Sequence, residues 1–148
     1  MTTHLQNFRE FLKRREAAST DFERGDAGLL SGMVARISPS SFFPPQGGYR
    51  KGPNEVAAAY RRIAARTHPL RVSSSFEVFQ MAADGCVAYW TGLQHTTVQL
   101  HSTDQPLPFD LRVTEVFQLE NDEWKLVHRH ADELAAEPAR NSRDPEPS

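Results

Sequence analysis

Hydrophobic residues recur with the spacing of an amphipathic helix in two stretches of the first half of the chain. The apolar stripe of the first predicted helix comprises Leu5, Phe8, Phe11, Leu12, Ala18 and Phe22. Gly25 is suited to end this helix in a left-handed conformation, and Asp26 is suited to cap a short second helix that continues through Val34. A third helix is predicted to begin at Pro53 and to end before Pro69.

The pattern changes after Pro69 to runs that are typical of β-strands. Turn signals separate four such runs, which read LRVSSSFEVFQMA, CVAYWTGLQHTTVQL, FDLRVTEVFQL and WKLVHRHA. The Pro-, Gly- and Ser-rich stretch before the third helix predicts a loop or an irregular edge strand. Three helices followed by a strand meander predict an α+β fold, in which the helices pack on one face of a curved antiparallel sheet.

Composition favours a single domain without charged macromolecular partners. The 148 residues carry a net charge of −2, so the sequence favours neither nucleic acid nor a membrane as a partner, and the basic run Lys13–Arg15 is interpreted as a solvent-facing helix surface. Residues 1–136 are predicted to form the domain, and the polar residues 137–148 a disordered tail. The single cysteine, Cys86, is expected to be a buried thiol, which together with the absence of a signal-peptide pattern predicts a cytoplasmic protein.

The last two predicted strands are joined by Asn121–Asp122, a pair suited to a two-residue type I′ hairpin turn. This register pairs Glu120 with Glu123 and, if it continues unchanged, places Glu115 opposite His128. The same strand face is otherwise apolar and also carries His130, whereas Arg129 falls on the opposite, solvent-facing side. Directly opposed residues have Cβ atoms about 4.5–5.5 Å apart, within reach of a carboxylate–imidazole hydrogen bond.

A carboxylate and an imidazole on an apolar face permit three interpretations. They can act as a general acid–base pair, contact a ligand, or form a structural pair that relieves the unfavourable burial of Glu115. His128 and His130 with His95 or Glu115 could also hold a metal ion, but the spacing gives only a weak signal for such a site. The predicted catalytic residues are therefore Glu115, His128 and His130, and no cofactor is expected.

The order of these elements resembles that of the cone-shaped nuclear transport factor 2-like superfamily. The resemblance is carried by FFPPQGG (residues 42–48), VSSSFEVFQMAADGCVAYWTG (residues 72–92) and LRVTEVFQLENDEWKLVHRHAD (residues 111–132). It is greatest to the SnoaL-like, ketosteroid isomerase-like branch near the calcium/calmodulin-dependent protein kinase association domain. The resemblance implies a conical α+β fold with a pocket between sheet and helices, and a homodimer joined through the sheets.

Family resemblance leaves the function open, because this superfamily contains isomerases, cyclases, dehydratases and non-catalytic assembly modules. The association domain carries arginine where Glu115 stands, so its anion-binding pocket is not expected here. The Asp base and Tyr/Asp pair of ketosteroid isomerase have no evident counterpart either.

Further pocket residues are predicted from the apolar face of the third helix, from the predicted hairpin and from parity with the association domain. The predicted ligand-binding residues are Tyr60, Tyr89, Thr91, His95, Val113, Phe117 and Trp124. The function predicted first is binding of a small organic molecule, with cofactor-free isomerase, cyclase or dehydratase chemistry on a carbonyl-type substrate if the site is catalytic. The alternative is a non-catalytic ligand-binding or oligomerisation module.

Overall fold

Three helices precede the four long strands, as the hydrophobic pattern predicts. The computed structural model describes residues 4–66 and 68–135, so the predicted disordered tail lies outside the described residues. The helices are α1 (His4–Glu23), α2 (Gly28–Ser31) and α3 (Pro53–Ala65). Helix α2 is shorter than predicted: the chain leaves it at Gly32, and Val34 forms a β-bridge with Leu126 instead.

One curved six-stranded sheet forms the other layer. Its strands are β1 (Ser41–Phe43), β2 (Arg50–Lys51), β3 (Arg71–Asp84), β4 (Val87–Gln99), β5 (Leu107–Glu120) and β6 (Glu123–Glu133). The spatial order is β2-β1-β6-β5-β4-β3, and β1 pairs with β6 in parallel. The sheet is therefore mixed rather than purely antiparallel, because the Pro-rich stretch before α3 contributes two short strands.

Helix α1 covers the inner face of the sheet and also protects its β3 edge. Phe8 packs against Phe117 and Trp124, with ring centroids 5.2 and 5.6 Å apart. The Glu16 carboxylate accepts the Phe76 backbone N–H at 2.7 Å, on the side of β3 that faces away from β4. This contact satisfies a polar group at an edge strand that would otherwise be open to pairing with another chain.

The β5–β6 hairpin confirms the predicted register only near the turn. Asn121 and Asp122 have φ values of 51° and 64°, as a type I′ turn requires, and the predicted pairs extend to Phe117–Leu126. Beyond that pair a β-bulge leaves Val127 as an extra residue, so that Val116 pairs with His128. An extra residue exchanges the two faces of everything that follows it in the strand.

A second bulge lies in β3, where the register shifts between Val78 and Gln80 opposite Gly92. A Cβ atom at Gly92 would overlap the carbonyl oxygen of Glu77, so only glycine fits where the two strands approach this closely. The sheet therefore bends at this position.

Glu120, at the end of β5, anchors the loop that follows α2. Its carboxylate accepts the backbone N–H groups of Arg36, Ile37 and Ser38 at 3.1, 3.3 and 2.8 Å. Burial alone would raise the pKa of Glu120, but these hydrogen bonds outweigh it and lower the pKa to about 2. Glu120 is therefore ionised at neutral pH and fixes the chain between α2 and β1.

Two further features concern the surface of the molecule. Cys86 is exposed, so the prediction of a buried thiol is wrong: the residue lies in the β3–β4 turn rather than inside β4. Within the described residues, no helix combines the length and apolar character needed to cross a membrane.

Candidate functional site

A cavity of about 170 Å³ lies between the inner face of the sheet and the helices. The C-terminal half of α1, one face of α3, the loop after β1 and strands β4 to β6 surround it. Its polar lining consists of Arg15, Ser19, Glu23, Gln46, Tyr60, Gln94 and Arg129, and its apolar lining of Phe22, Leu30, Phe42, Pro45, Ile63, Phe109 and Leu111. Pockets for drug-sized ligands usually measure roughly 300–1,000 Å³, so this cavity suits a smaller organic molecule.

A buried ionic cluster forms the floor of the cavity. The Glu115 carboxylate, which is completely buried, accepts hydrogen bonds from Arg15 Nη2, Arg129 Nη1 and Trp90 Nε1, each at 2.8 Å. Burial alone would raise the pKa of Glu115, but the two guanidinium groups and the indole hold it below its ordinary value. The site therefore favours the ionised form of Glu115, which pairs with two arginines.

Arg129 is held in place by a chain of neutral polar groups. Its Nη2 donates to Gln94 Oε1 at 2.8 Å, and Gln94 Nε2 donates to Ser74 Oγ at 3.1 Å. Ser74 in turn accepts a hydrogen bond from Ser19 on α1 at 3.0 Å. This chain links α1 to β3, β4 and β6 and orients the guanidinium along the cavity floor.

Positive charge and unused donors are in excess around the cavity. Arg15 and Arg129 are 2% and 7% exposed, and Glu115 is the only fully buried carboxylate that contacts them among the described residues. Nε and Nη1 of Arg15 and the hydroxyl of Tyr60 are buried without a hydrogen-bond partner. Burial raises the pKa of Tyr60, so its hydroxyl stays a neutral donor. Such buried groups are usually satisfied, which points to a polar ligand.

Glu23, the last residue of α1, lines the same cavity but is only partly buried. No hydrogen bond or ion pair joins its carboxylate to another described residue. Burial raises the pKa of Glu23, and the more distant Arg129 and Arg15 reduce that effect. The cavity therefore has a cationic floor and an acidic group of its own at the end of α1.

The predicted Glu115–His128 pair is not formed, because the bulge at Val127 turns the rest of β6 over. Glu115 pairs with Arg129, which points inward, so the prediction that Arg129 faces solvent is also wrong. His128 and His130 lie on the outer face, where both rings contact Phe43 edge-on. The Ser41 hydroxyl is 2.7 Å from His128 Nδ1. Burial and the neighbouring His130 lower the pKa of His128.

Among the predicted ligand-binding residues, only Tyr60 lines the cavity. The side chains of Tyr89, Thr91 and His95 face outward, because the inner face of β4 is formed by Trp90, Gln94 and Thr96. His95 lies 3.1 Å from Glu77 and 3.4 Å from Asp110, and these carboxylates raise its pKa. Val113, Phe117 and Trp124 face inward as predicted but pack in the hydrophobic core.

The residues that sequence reasoning missed are Arg15 and Arg129. Arg15 follows Phe11 by four positions and precedes Ala18 by three, so it lies within the apolar stripe of α1 rather than opposite it. That position was a usable signal for a buried arginine. No comparable signal exists for Arg129, because its inward direction depends on the bulge.

Two other observations limit where a ligand can bind. A groove of about 600 Å³ lies between the start of α1 and the β5–β6 turn, but its lining includes many charged and exposed side chains, such as Glu10, Arg14 and Asp122. Over residues 4–66 and 68–135, no three His, Cys, Asp or Glu residues are placed to hold a metal ion together.

Comparisons with known proteins agree with this architecture. The family model for the SnoaL-like domain matches residues 15–133, and the chain belongs to this family. No curated protein matches the chain. A proposed dehydratase of the NTF2-like family from Streptomyces avermitilis superposes with a TM-score of 0.73 at 21% identity, covering 90% of this chain and 100% of that one.

Two further solved structures extend the likeness. An NTF2-like superfamily protein from Salmonella enterica has a TM-score of 0.67 at 20% identity, with 88% and 91% of the two chains covered. The association domain of C. elegans CaMKII has a TM-score of 0.69 at 12% identity, with 87% and 97% covered. At these identities the likeness shows the cone-shaped NTF2-like fold and leaves enzyme and oligomerisation module as alternatives.

Proposed function

We propose that this chain is a small-molecule-binding protein whose cavity accepts an organic anion, most simply a carboxylate. The observation that carries the proposal is the floor of the cavity, where two buried guanidinium groups share one carboxylate and Arg15 keeps two unused donors. Arginine presents its donors in a planar fork that matches a carboxylate. The Tyr60 hydroxyl would supply a neutral donor to the same ligand.

The geometry favours binding over the acid–base reaction that the sequence leaves open. Three donors already occupy Glu115, and its depressed pKa makes it a weak base at neutral pH. His128 and His130 lie on the opposite side of the sheet from the cavity. A reaction of the isomerase, cyclase or dehydratase type would therefore need a different proton acceptor.

Removing Arg15 tests the proposal. We expect wild-type protein to bind propionate, used as a probe, and Arg15→Met to weaken that binding by roughly 10- to 100-fold, since hydrogen bonds to a charged group contribute about 1.5–3 kcal/mol. Arg15→Met should stay folded, because Arg129 and Glu115 still neutralise each other. Isothermal titration calorimetry measures both affinities.

Arg14→Met is the matched control, because Arg14 is the exposed neighbour of Arg15 on the same helix. It should leave propionate binding unchanged. Wild-type protein that does not bind propionate, or equal affinities in Arg14→Met and Arg15→Met, would contradict the proposal.

We also propose that the chain forms a homodimer through the outer face of the sheet. Phe43 and Phe79 are 41% and 63% exposed, and Phe79 lines an outer groove of about 430 Å³ with Thr91 and His130. Several structural neighbours are described as CaMKII hub or association domains. Aromatic side chains that are exposed on one face of a sheet are typical of an interface.

Sedimentation velocity tests the dimer. Wild-type protein should sediment as a dimer and Phe79→Asp as a monomer, because a carboxylate would be buried in the interface. Tyr49→Asp, at a residue that is equally exposed but lies in the loop before β2, should remain dimeric. A monomeric wild type, or a dimeric Phe79→Asp, would refute this surface.

A further inference from the structure

We propose that Glu23 is the second recognition group of the cavity, and that the ligand is a small zwitterion with a carboxylate at one end and an ammonium group at the other. This inference rests on the proposed carboxylate site at Arg15 and Arg129. It is carried by the placement of an unpaired carboxylate on the wall of a cavity whose floor is cationic.

The end of α1 favours a cation beside Glu23. The carbonyl ends of a helix carry partial negative charge, which cations stabilise and anions do not. Helix α1 has no basic residue in its last turn, whereas Asp21 and Glu23 both lie there. Asp21 is paired with Arg24 at 3.5 Å, but Glu23 has no ion-pair partner among residues 4–66 and 68–135. An ammonium group would supply the missing counter-charge.

The charged groups around the cavity are complementary to the two charged ends of a zwitterion. Arg15 and Arg129 line the cavity with two positive charges, and Glu115, which does not line the cavity itself, offsets one of them. Glu23 contributes the single negative charge of the lining, and it forms no ion pair with either arginine. A simple carboxylate would satisfy the floor and leave its apolar tail facing Glu23. An ammonium group within the same ligand would pair with Glu23, and would also favour the ionised form of a carboxyl whose pKa is raised by burial.

The apolar lining restricts the spacer between the two charged groups. Phe22, Ile63 and Leu111 are among the apolar residues that line the cavity, so a short methylene chain fits better than a polar linker. Together with the volume of about 170 Å³, this lining indicates an unbranched amino carboxylate of few carbons.

The experiment compares matched probes on two proteins. Calorimetric titrations at neutral pH with propionate, 3-hydroxypropionate and β-alanine differ only in the group presented to Glu23. We expect wild-type protein to bind β-alanine about tenfold more tightly than propionate, with 3-hydroxypropionate close to propionate. Glu23→Gln should abolish the preference while leaving propionate affinity unchanged or higher.

Glu10→Gln is the matched control, because Glu10 carries an exposed carboxylate on the same helix. This variant should keep the preference for β-alanine. Equal affinity for propionate and β-alanine in the wild type would overturn the role of Glu23 and leave the carboxylate site intact. If 3-hydroxypropionate bound as tightly as β-alanine, a neutral donor would suffice beside Glu23. That result would also overturn the proposal that the ligand is a zwitterion. Failure of all three probes to bind would refute the carboxylate site itself.

Discussion

Glu115→Gln should lower the free energy of unfolding by about 3–5 kcal/mol, because it leaves two buried arginines without their counter-charge. The wild-type carboxylate accepts hydrogen bonds from Arg15, Arg129 and Trp90. A glutamine has one acceptor oxygen for these three donors, and its amide would direct further N–H groups at guanidinium groups. Denaturation in urea, monitored by tryptophan fluorescence, measures the loss.

Glu77→Gln is the matched control for this prediction. Glu77 also pairs with a basic side chain, His95, but its side chain is 54% exposed on the outer face. Exposed ion pairs contribute roughly 0–1 kcal/mol, so the control should change the free energy of unfolding little. The ionic cluster would be misassigned if Glu115→Gln and Glu77→Gln had the same small effect.

Gly92→Ala should lower the free energy of unfolding by about 3 kcal/mol, a large effect for a single methyl group. The added Cβ would overlap the Glu77 carbonyl oxygen and would also approach the Phe79 backbone nitrogen to 3.0 Å. Both atoms belong to the backbone of β3, so the bulge has to shift rather than a side chain. The midpoint of urea denaturation reports the change.

Gly32→Ala makes the same chemical change without the overlap. Gly32 has a helical φ of −73°, and its added Cβ would lie 3.5 Å from the Leu29 carbonyl oxygen, an ordinary contact. Its stability should stay the same or rise by about 0.4–1 kcal/mol, since alanine restricts the unfolded chain. Equal tolerance of Gly92→Ala would mean that the strands do not approach so closely.

The fold was more predictable than the site because the two depend on different features of the sequence. Helical periodicity and the Asn121–Asp122 turn are local signals, and they predict the helices, the long strands and the hairpin register as far as Leu126. The bulge at Val127 cannot be predicted from the alternation of apolar and polar residues along the strand. Leu126 and Val127 are consecutive apolar residues and both are buried, so the pattern does not show which of them is the extra one. Because of this one extra residue, Arg129 rather than His128 lies on the inner face.

Charge was the second source of error. The basic run Lys13–Arg15 predicts a solvent-facing helix surface, although Arg15 occupies the apolar stripe of α1 and is buried. Buried arginines are rare, and their presence is explained only by partners distant in sequence: Glu115 is 100 residues away. Glu115 lies on the inner face as predicted, but its cross-strand partner is Arg129 rather than His128.

Trp90 provides the most direct test that the cavity floor binds an anion. Its indole N–H donates to the same carboxylate that holds Arg15 and Arg129, whereas Trp124, the other tryptophan, packs against Phe8 outside this cluster. In a ¹H–¹⁵N correlation spectrum recorded during titration with propionate, the Trp90 indole signal should shift and saturate while that of Trp124 stays in place. A Trp90 signal that does not move, or two signals that drift together without saturation, would contradict the anion site.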